Sequence, residues 1–250
     1  MTIEGLVNDG IGEVVIDRPP VNALDVKSWF ELASTLRGLG DDPAVRVVVL
    51  RAEGKGFCAG VDIKELQAEP DAIVGVNRGC YEAFAAVYDC AVPVIAAVQG
   101  FCLGGGVGLA GNADIVIASD DATFGLPEVD RGALGAATHL ARLVPQHRMR
   151  AMVYTGQTAT AAELHAFGSV MAVTPRAQLR DTAMKVARDI ASKSPTIIRR
   201  AKESLNGIDP VDVKKSYRFE QGFTYELNLS GVSDEARQAF IDKRDAKFEK

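Results

Sequence analysis

The sequence has few of the residues that ligate metals or form disulfides, with three histidines and four cysteines in 250 residues. No histidine lies four residues from another, as the paired ligands on one helix would. We therefore expect no metal site. No C-x-x-C pair occurs among the cysteines, which are Cys58, Cys80, Cys90 and Cys102. This spacing predicts reduced thiols and a cytoplasmic protein.

Long apolar runs and an excess of basic residues are also missing. The longest apolar stretch, Val92–Val98, is short and contains Pro93, whereas a membrane span needs roughly 20 apolar residues. The formal net charge is −5, so no basic patch is expected. The sequence predicts neither a membrane anchor nor a nucleic-acid partner. With 47% hydrophobic and 24% charged residues, the chain can bury a sizeable core.

Short apolar runs alternate with helical patterns over the first two-thirds of the chain. Four runs predict strands: Gly12–Ile16, Val45–Leu50, Val94–Val98 and Asp114–Ala118. Helices are expected to start after Asp25, whose carboxylate suits an N-cap, and to cover Asp71–Asp89. A turn over Gly100–Gly106 and a short helix over Val107–Gly111 are expected next. Apolar strands separated by helices indicate an α/β fold with a parallel sheet covered on both faces.

Helical patterns dominate after Leu140, where only Val170–Val173 resembles a strand. Six helices are predicted: Gln146–Thr155, Ala159–Phe167, Arg176–Ser192, Pro195–Leu205, Pro210–Leu229 and Ser233–Phe248. The chain therefore combines an α/β core with a helical C-terminal region.

The run Gly106–Gly111 (GVGLAG) matches the G-x-G-x-x-G pattern of dinucleotide-binding proteins. That fingerprint follows directly after a strand and leads into a full helix. Here the preceding strand is predicted to end near Val98 and the next to begin near Asp114, which leaves no room for such a helix. Dinucleotide binding is therefore the weaker interpretation.

Two glycine-rich loops, Phe57–Lys64 and Leu103–Val107, each lead into a predicted helix. Helix N-termini expose unpaired N–H groups, and glycine allows a ligand to approach the backbone closely. Two such N–H groups can converge on one developing oxyanion. Simple tight turns are the alternative that either loop alone leaves open.

Five segments together resemble the crotonase family of enoyl-CoA hydratases and isomerases. They are RPPVNAL (18–24), GFCAGVDIKE (56–65), PVIAAVQG (93–100), GGGVGLA (104–110) and ATFGLPE (122–128). The resemblance implies an α/β fold in which a spiral of ββα units over residues 1–195 is followed by a helical region, 196–250, that mediates trimerisation. A homotrimer or homohexamer is implied.

The resemblance also implies a site for an acyl-coenzyme A. The backbone N–H groups of Val61 and Gly105 are expected to hold the thioester oxygen. Contacts with coenzyme A are expected from Ala59, Asp62, Ile63 and Gly104. Coenzyme A arrives as part of the substrate, and no further cofactor is implied.

The family usually supplies two glutamates to this pocket. Gly108 stands where the first would be, and Glu128 matches the second. One carboxylate suits proton transfer or base-assisted attack by water, so Glu128 is the expected acid–base residue and simple hydration is in doubt. Arg131 and His139 are further candidates for the pocket, with a structural or surface role as the alternative.

Three further segments resemble a branch of this family from actinobacterial sterol catabolism: 77–80 (NRGC), 131–147 (RGALGAATHLARLVPQH) and 220–229 (EQGFTYELNL). That branch hydrolytically opens the remaining ring of an indanedione-carboxyl-CoA. The resemblance therefore implies C–C bond hydrolysis in a cyclic diketone thioester, through a thioester enolate. The alternatives are an enoyl-CoA hydratase or isomerase of fatty-acid oxidation, and a non-catalytic acyl-CoA-binding protein.

Overall fold

The computed structural model describes residues 2–69 and 71–247. The strands in these ranges are β1 (Thr2–Asn8), β2 (Ile11–Asp17), β3 (Ala23–Leu24), β4 (Val47–Ala52), β5 (Gly60–Val61), β6 (Val94–Val98), β7 (Phe101–Leu103), β8 (Ile115–Ser119), β9 (Thr123–Gly125), β10 (Thr158–Thr160) and β11 (Ala172–Thr174). The α-helices are α1 (Val26–Asp41), α2 (Ile63–Ala68), α3 (Ala72–Tyr88), α4 (Gly105–Asn112), α5 (Ala137–Leu140), α6 (Gln146–Thr155), α7 (Ala161–Ala166), α8 (Leu179–Ala191), α9 (Pro195–Gly207), α10 (Val213–Leu229) and α11 (Val232–Asp242). Two 3₁₀ helices cover Pro127–Arg131 and Arg176–Gln178.

The main sheet has six strands in the order β1-β2-β4-β6-β8-β11. Only β1 is antiparallel to its neighbour, and the other pairs are parallel. One face packs against small residues of α8, including Ala183 and Ala187. The other face packs against α1 through side chains such as Leu36, and α3 packs in turn on α1. The prediction of a parallel sheet covered on both faces is confirmed.

A second layer is built from very short strands. β3 pairs with β5, β7 pairs with β9, and an isolated bridge joins Cys58 to Cys102. Each turn of the chain thus supplies one strand to the main sheet, one short strand to the second layer and then a helix. This repetition is the spiral of ββα units that the resemblance implied. Strands of two or three residues have too little alternation to be recognised in the sequence.

The first helix begins where its capping chemistry predicts. The Asp25 carboxylate accepts a hydrogen bond from the Ser28 N–H at 2.8 Å and is held by Arg18 at 2.8 Å. Trp29 is fully buried, whereas Phe30 lies one position off the buried stripe and is partly exposed. The 100° turn per residue places these neighbours on different parts of the helix surface.

The last two helices fold back over the second layer. α10 packs against α3 and α5, and α11 packs against α2 and the 3₁₀ helix Pro127–Arg131. Gln67 of α2 donates a hydrogen bond to Gln238 of α11 at 3.1 Å. The two helices thereby form one wall of a cavity whose other walls come from the ββα spiral. None of the helices in the described ranges has the length and apolar character to cross a membrane.

Candidate active site

The two glycine-rich loops predicted from the sequence meet in space. Gly60 in β5 has φ +90°, a conformation that side chains disfavour, and a Cβ there would lie 3.0 Å from the Gly105 nitrogen. Gly105 is the first residue of α4, so its N–H has no acceptor within the helix. A Cβ on Gly105 would come within 2.6 Å of Trp29. Glycine at both positions allows the strand and the helix to touch.

The N–H of Val61 faces away from the neighbouring strand. Asp62 donates its N–H to the Leu24 oxygen at 3.0 Å. Successive N–H groups in an extended strand point to opposite edges, so the Val61 N–H points away from β3. Val61 and Gly105 both line one cavity, and Gly60 joins them. The two residues whose N–H groups were predicted to hold a ligand oxygen therefore belong to one cavity, and that role remains a prediction.

Glu128 lies beside these donors. It follows Pro127 at the start of the 3₁₀ helix, and its Oε1 occupies the space that a Cβ on Gly104 would need. Its Oε2 is buried and has no hydrogen-bond partner within the described part of the chain. The rest of the side chain is partly accessible through the cavity. A free carboxylate oxygen therefore stands next to the start of α4.

Burial raises the pKa of Glu128 to about 8, because the carboxylate loses its hydration, although Arg131 favours the charged form. A carboxyl with this pKa can exchange a proton near neutral pH. Glu220, by contrast, is engaged by the backbone: it accepts hydrogen bonds from the N–H groups of Ala137 at 2.8 Å and Thr138 at 3.3 Å. Glu128 is thus the buried carboxylate that remains available to a ligand.

The cavity has a volume of about 430 Å³ and a mostly apolar wall. Its wall contains every residue for which the sequence predicted a contact with the substrate: Ala59, Val61, Asp62, Ile63, Gly104, Gly105 and Glu128. Their roles remain predictions, but the fold brings them together. Asp62 also serves as the N-cap of α2, accepting the Lys64 N–H at 3.0 Å.

Gly108, which replaces the first family glutamate, does not face the cavity. A Cβ at this position would overlap the ring of Phe84 from α3, and that ring lines the cavity instead. Phe84 packs edge-on against Trp29, with ring centroids 5.7 Å apart. The first family glutamate is therefore absent, and an aromatic ring occupies the space that a side chain at position 108 would need. Sequence reasoning noticed Gly108 but missed Phe84, which reads as an ordinary core residue of α3.

His139 lies behind this ring rather than in the cavity wall. It is fully buried, with Phe84 at 5.0 Å and Tyr217 at 4.9 Å between ring centroids. Both ring nitrogens lack partners among residues 2–69 and 71–247, and burial lowers the pKa of His139 to about 3. A neutral ring in an aromatic cluster has a packing role, which was the alternative left open by the sequence.

Arg131 does line the cavity, together with two residues that sequence reasoning missed. Arg237 of α11 is 6% exposed, and Asn77 of α3 is equally buried. The Asn77 amide nitrogen has no partner in the described ranges and is free to bind a ligand. Asn77 stood in a segment that resembled the family branch, whereas Arg237 is one of several arginines on amphipathic helices and gave no signal.

The dinucleotide interpretation fails on the structure. Residues 106–111 lie within α4, and their glycines contact the protein rather than a ligand site: Gly106 packs on the Cys58 carbonyl and Gly111 on that of His139. Across the described residues, no three His, Cys, Asp or Glu side chains are grouped to ligate a metal. The four cysteines are buried free thiols.

Comparisons with known proteins identify the family of the chain. Residues 7–250 match the family model for enoyl-CoA hydratase/isomerase. A (7aS)-7a-methyl-1,5-dioxo-2,3,5,6,7,7a-hexahydro-1H-indene-carboxyl-CoA hydrolase of Rhodococcus jostii (strain RHA1) is 64% identical, over 94% of this chain and 92% of the relative. The hydrolase of the same name from Mycobacterium tuberculosis (strain ATCC 25618 / H37Rv) is 60% identical, over 94% of this chain and 96% of the relative.

The overall fold is also similar to that of solved structures from this family. The crystal structure of an enoyl-CoA hydratase from Mycobacterium avium subsp. paratuberculosis K-10 superposes with a TM-score of 0.88 and 26% identity, over 99% of this chain and 98% of that one. The sequence match and the spiral of ββα units lead to the same conclusion. The chain belongs to the enoyl-CoA hydratase/isomerase, or crotonase, family.

Proposed function

We propose that this protein hydrolyses a carbon–carbon bond in a cyclic diketone that is carried as a coenzyme A thioester. The observation that carries the proposal is a single available carboxylate, Glu128, held against the helix start that supplies the Gly105 N–H. Phe84 occupies the space that a side chain at position 108 would need, and position 108 is where the family usually carries the first of its two glutamates. The identity with two indene-carboxyl-CoA hydrolases supports the same substrate class.

The chemistry of that substrate explains the need for paired oxyanion donors. In the molecule named for the relatives, a ketone at C1 adjoins the ring-fusion carbon C7a, and the remaining ring double bond joins C3a and C4. Water adds to C1, the C1–C7a bond breaks, and C1 becomes a carboxylic acid. The electron pair left on C7a is conjugated through C3a and C4 with a carbonyl, so the charge moves to oxygen before C7a takes a proton.

In this mechanism the N–H groups of Val61 and Gly105 stabilise the developing enolate oxygen. Removing one such donor typically costs about 10²–10³ in rate. Glu128 accepts a proton from the attacking water and returns one to C7a, a role that contributes about 10²–10⁴. Asn77 offers its unpaired amide N–H to a ring carbonyl. Ala59, Asp62, Ile63 and Gly104 are proposed to contact the coenzyme A portion.

Turnover of the indene-carboxyl-CoA in H₂¹⁸O tests the proposal, with product analysis by mass spectrometry. One ¹⁸O is expected in the newly formed carboxylate. Glu128→Gln should lower kcat about 10²–10⁴-fold while leaving acyl-CoA binding nearly unchanged, because the backbone donors remain. Glu226→Gln, an exposed glutamate on α10, is the matched control. Turnover of Glu128→Gln within a few-fold of wild type would rule out the assignment of Glu128.

We also propose that residues 196–250 mediate assembly into a homotrimer or homohexamer in the cytoplasm. Large apolar side chains are exposed on this region, including Phe219, which is 74% exposed, and Leu229, which is 83% exposed. Phe219 packs edge-on against Phe223 at 5.3 Å, which makes a continuous aromatic surface on α10. Buried free thiols agree with a reducing compartment.

A further inference from the structure

We infer that Arg131 and Arg237 form a carboxylate-binding subsite in the acyl cavity. Both arginines line the same cavity as Glu128. The inference rests on the proposed function, because ring opening turns a neutral ketone carbon into a carboxylate beside Glu128. The subsite would bind that carboxylate in the product and the oxyanion that precedes it.

The position of Arg131 follows from helix geometry. Residues i and i+3 of a 3₁₀ helix lie above one another, so Glu128 and Arg131 share the face that lines the cavity. One turn of such a helix rises about 6 Å, which a guanidinium spans. A group that reacts with water at Glu128 is therefore within reach of Arg131.

The guanidinium of Arg131 is held but not neutralised. Its Nη1 donates to the Pro127 carbonyl at 2.8 Å, and its plane stacks on Phe240 of α11 at 4.4 Å. Within the ranges that the structure describes, Arg131 makes no ion pair, even with Glu128 one turn away. Donors of Arg131 remain for a bidentate contact with an anion.

Arg237 adds a second, independent observation. Its Nη1 donates to Asn228 at 2.8 Å and its Nη2 to the exposed Asp234, yet its buried Nε has no partner among the described residues. A buried unpaired donor on a cation is costly unless a ligand satisfies it. Ser233, four residues earlier on α11, donates to the Gly132 carbonyl and so fixes α11 beside Arg131.

Binding measurements without turnover test the subsite. Calorimetry would compare adipyl-CoA with hexanoyl-CoA, and suberyl-CoA with octanoyl-CoA, so that each pair differs only in a terminal carboxylate. The wild-type protein should bind at least one dicarboxylic thioester about tenfold or more tightly than its partner, because charge-assisted hydrogen bonds are strong. Arg131→Met should bring this ratio close to one.

Arg150→Met is the matched control, since Arg150 also stacks on an aromatic ring, Tyr154 at 5.6 Å, but lies outside the cavity. Arg237→Gln gives a second route if Arg131→Met fails to fold, and melting curves would identify folded variants. A wild-type protein without preference for the carboxylate would overturn the inference, as would a folded Arg131→Met or Arg237→Gln variant that keeps the preference. A preference without C–C hydrolysis would keep the subsite and refute the proposed function.

Discussion

At the scale of single residues, the site depends on which side chains are missing as much as on those present. Gly104 leaves room for the Glu128 carboxylate, and Gly60 leaves room for the Gly105 N–H. The carboxylate is therefore close to the backbone of α4 and largely removed from water, and this loss of hydration raises its pKa to about 8. The catalytic activity and the free energy of unfolding should therefore both depend on the titration of Glu128.

The activity of the wild-type enzyme should rise with pH. With a pKa of about 8, Glu128 is mostly protonated at lower pH and becomes a base as the pH passes this value. We expect kcat/KM for the ring-opening reaction to increase up to about pH 8 and then level off. A pH–rate profile checks this, and a profile that falls across the same range would show that the protonated form is the active one.

Stability should change in the opposite direction. The pKa of Glu128 is higher in the folded protein than its unfolded value of 4.5, so the folded state binds more protons between these values. The contribution of Glu128 is fully present below pH 4.5 and is lost as pH rises through about 8. Urea denaturation of wild type and Glu128→Gln should therefore show a difference that grows in favour of the variant across this window.

The buried His139 should make the free energy of unfolding depend on pH under acidic conditions. Its pKa falls to about 3 in the folded protein from 6.5, so below pH 6.5 the unfolded state takes up a proton that the buried ring refuses. The free energy of unfolding should drop as pH falls from 6.5 toward 3. His139→Phe, which keeps an aromatic ring beside Phe84, should show a smaller drop by denaturant titration. Equal slopes for both proteins would mean that His139 is solvated.

At the scale of elements, the packing of α3 against α4 determines which side chains fit beside the cavity. The Phe84 ring occupies the side-chain space of Gly108, so position 108 cannot gain a side chain unless Phe84 moves or is replaced. The sequence alone showed that Gly108 replaces a glutamate, because the motif over residues 104–110 has a fixed spacing. It could not reveal the ring, since Phe84 lies 24 positions earlier and reaches Gly108 only when two helices pack.

A paired substitution should therefore add hydratase character. We expect wild type to hydrate crotonyl-CoA weakly, and Phe84→Ala with Gly108→Glu together to hydrate it faster, because the smaller residue frees space for a second carboxylate. Gly108→Glu alone should lower the free energy of unfolding by at least about 1–3 kcal/mol through overpacking. Steady-state hydration and urea denaturation measure the two effects. A single Gly108→Glu variant as stable as wild type would contradict the steric argument.

At the scale of the whole molecule, the C-terminal helices have one surface that lines the cavity and another that is exposed. The inner surface of α10 and α11 supplies Thr224, Ser233 and Arg237 to the cavity. The outer surface of α10 carries the exposed pair Phe219 and Phe223. A monomer would leave these rings in water, so assembly of the protein is the expected consequence.

Analytical ultracentrifugation should detect a trimer or hexamer at micromolar concentration. Phe219→Glu should shift the protein toward smaller species, because a carboxylate replaces an apolar contact. Lys215→Glu introduces the same group on the same helix at an exposed polar position and serves as the control. A stable wild-type monomer would refute the assembly proposal.

The sequence by itself determined the family, the alternation of strands and helices, and the loops that carry Val61, Gly105 and Glu128. These features are local: capping by Asp25, apolar runs such as Val94–Val98, and motifs of fixed spacing can each be recognised within a few residues. The loops could therefore be assigned to the site from the sequence, before the structure showed that they lie close together.

Only the tertiary structure decided what surrounds those loops. The second layer of two- and three-residue strands, the Phe84 ring in the space beside Gly108, and the approach of Arg237 to the cavity all depend on contacts between distant segments. Burial then turned an ordinary glutamate into an acid with a pKa of about 8. The physical reason is that hydration and packing depend on every neighbour in space, whereas sequence patterns report only neighbours along the chain.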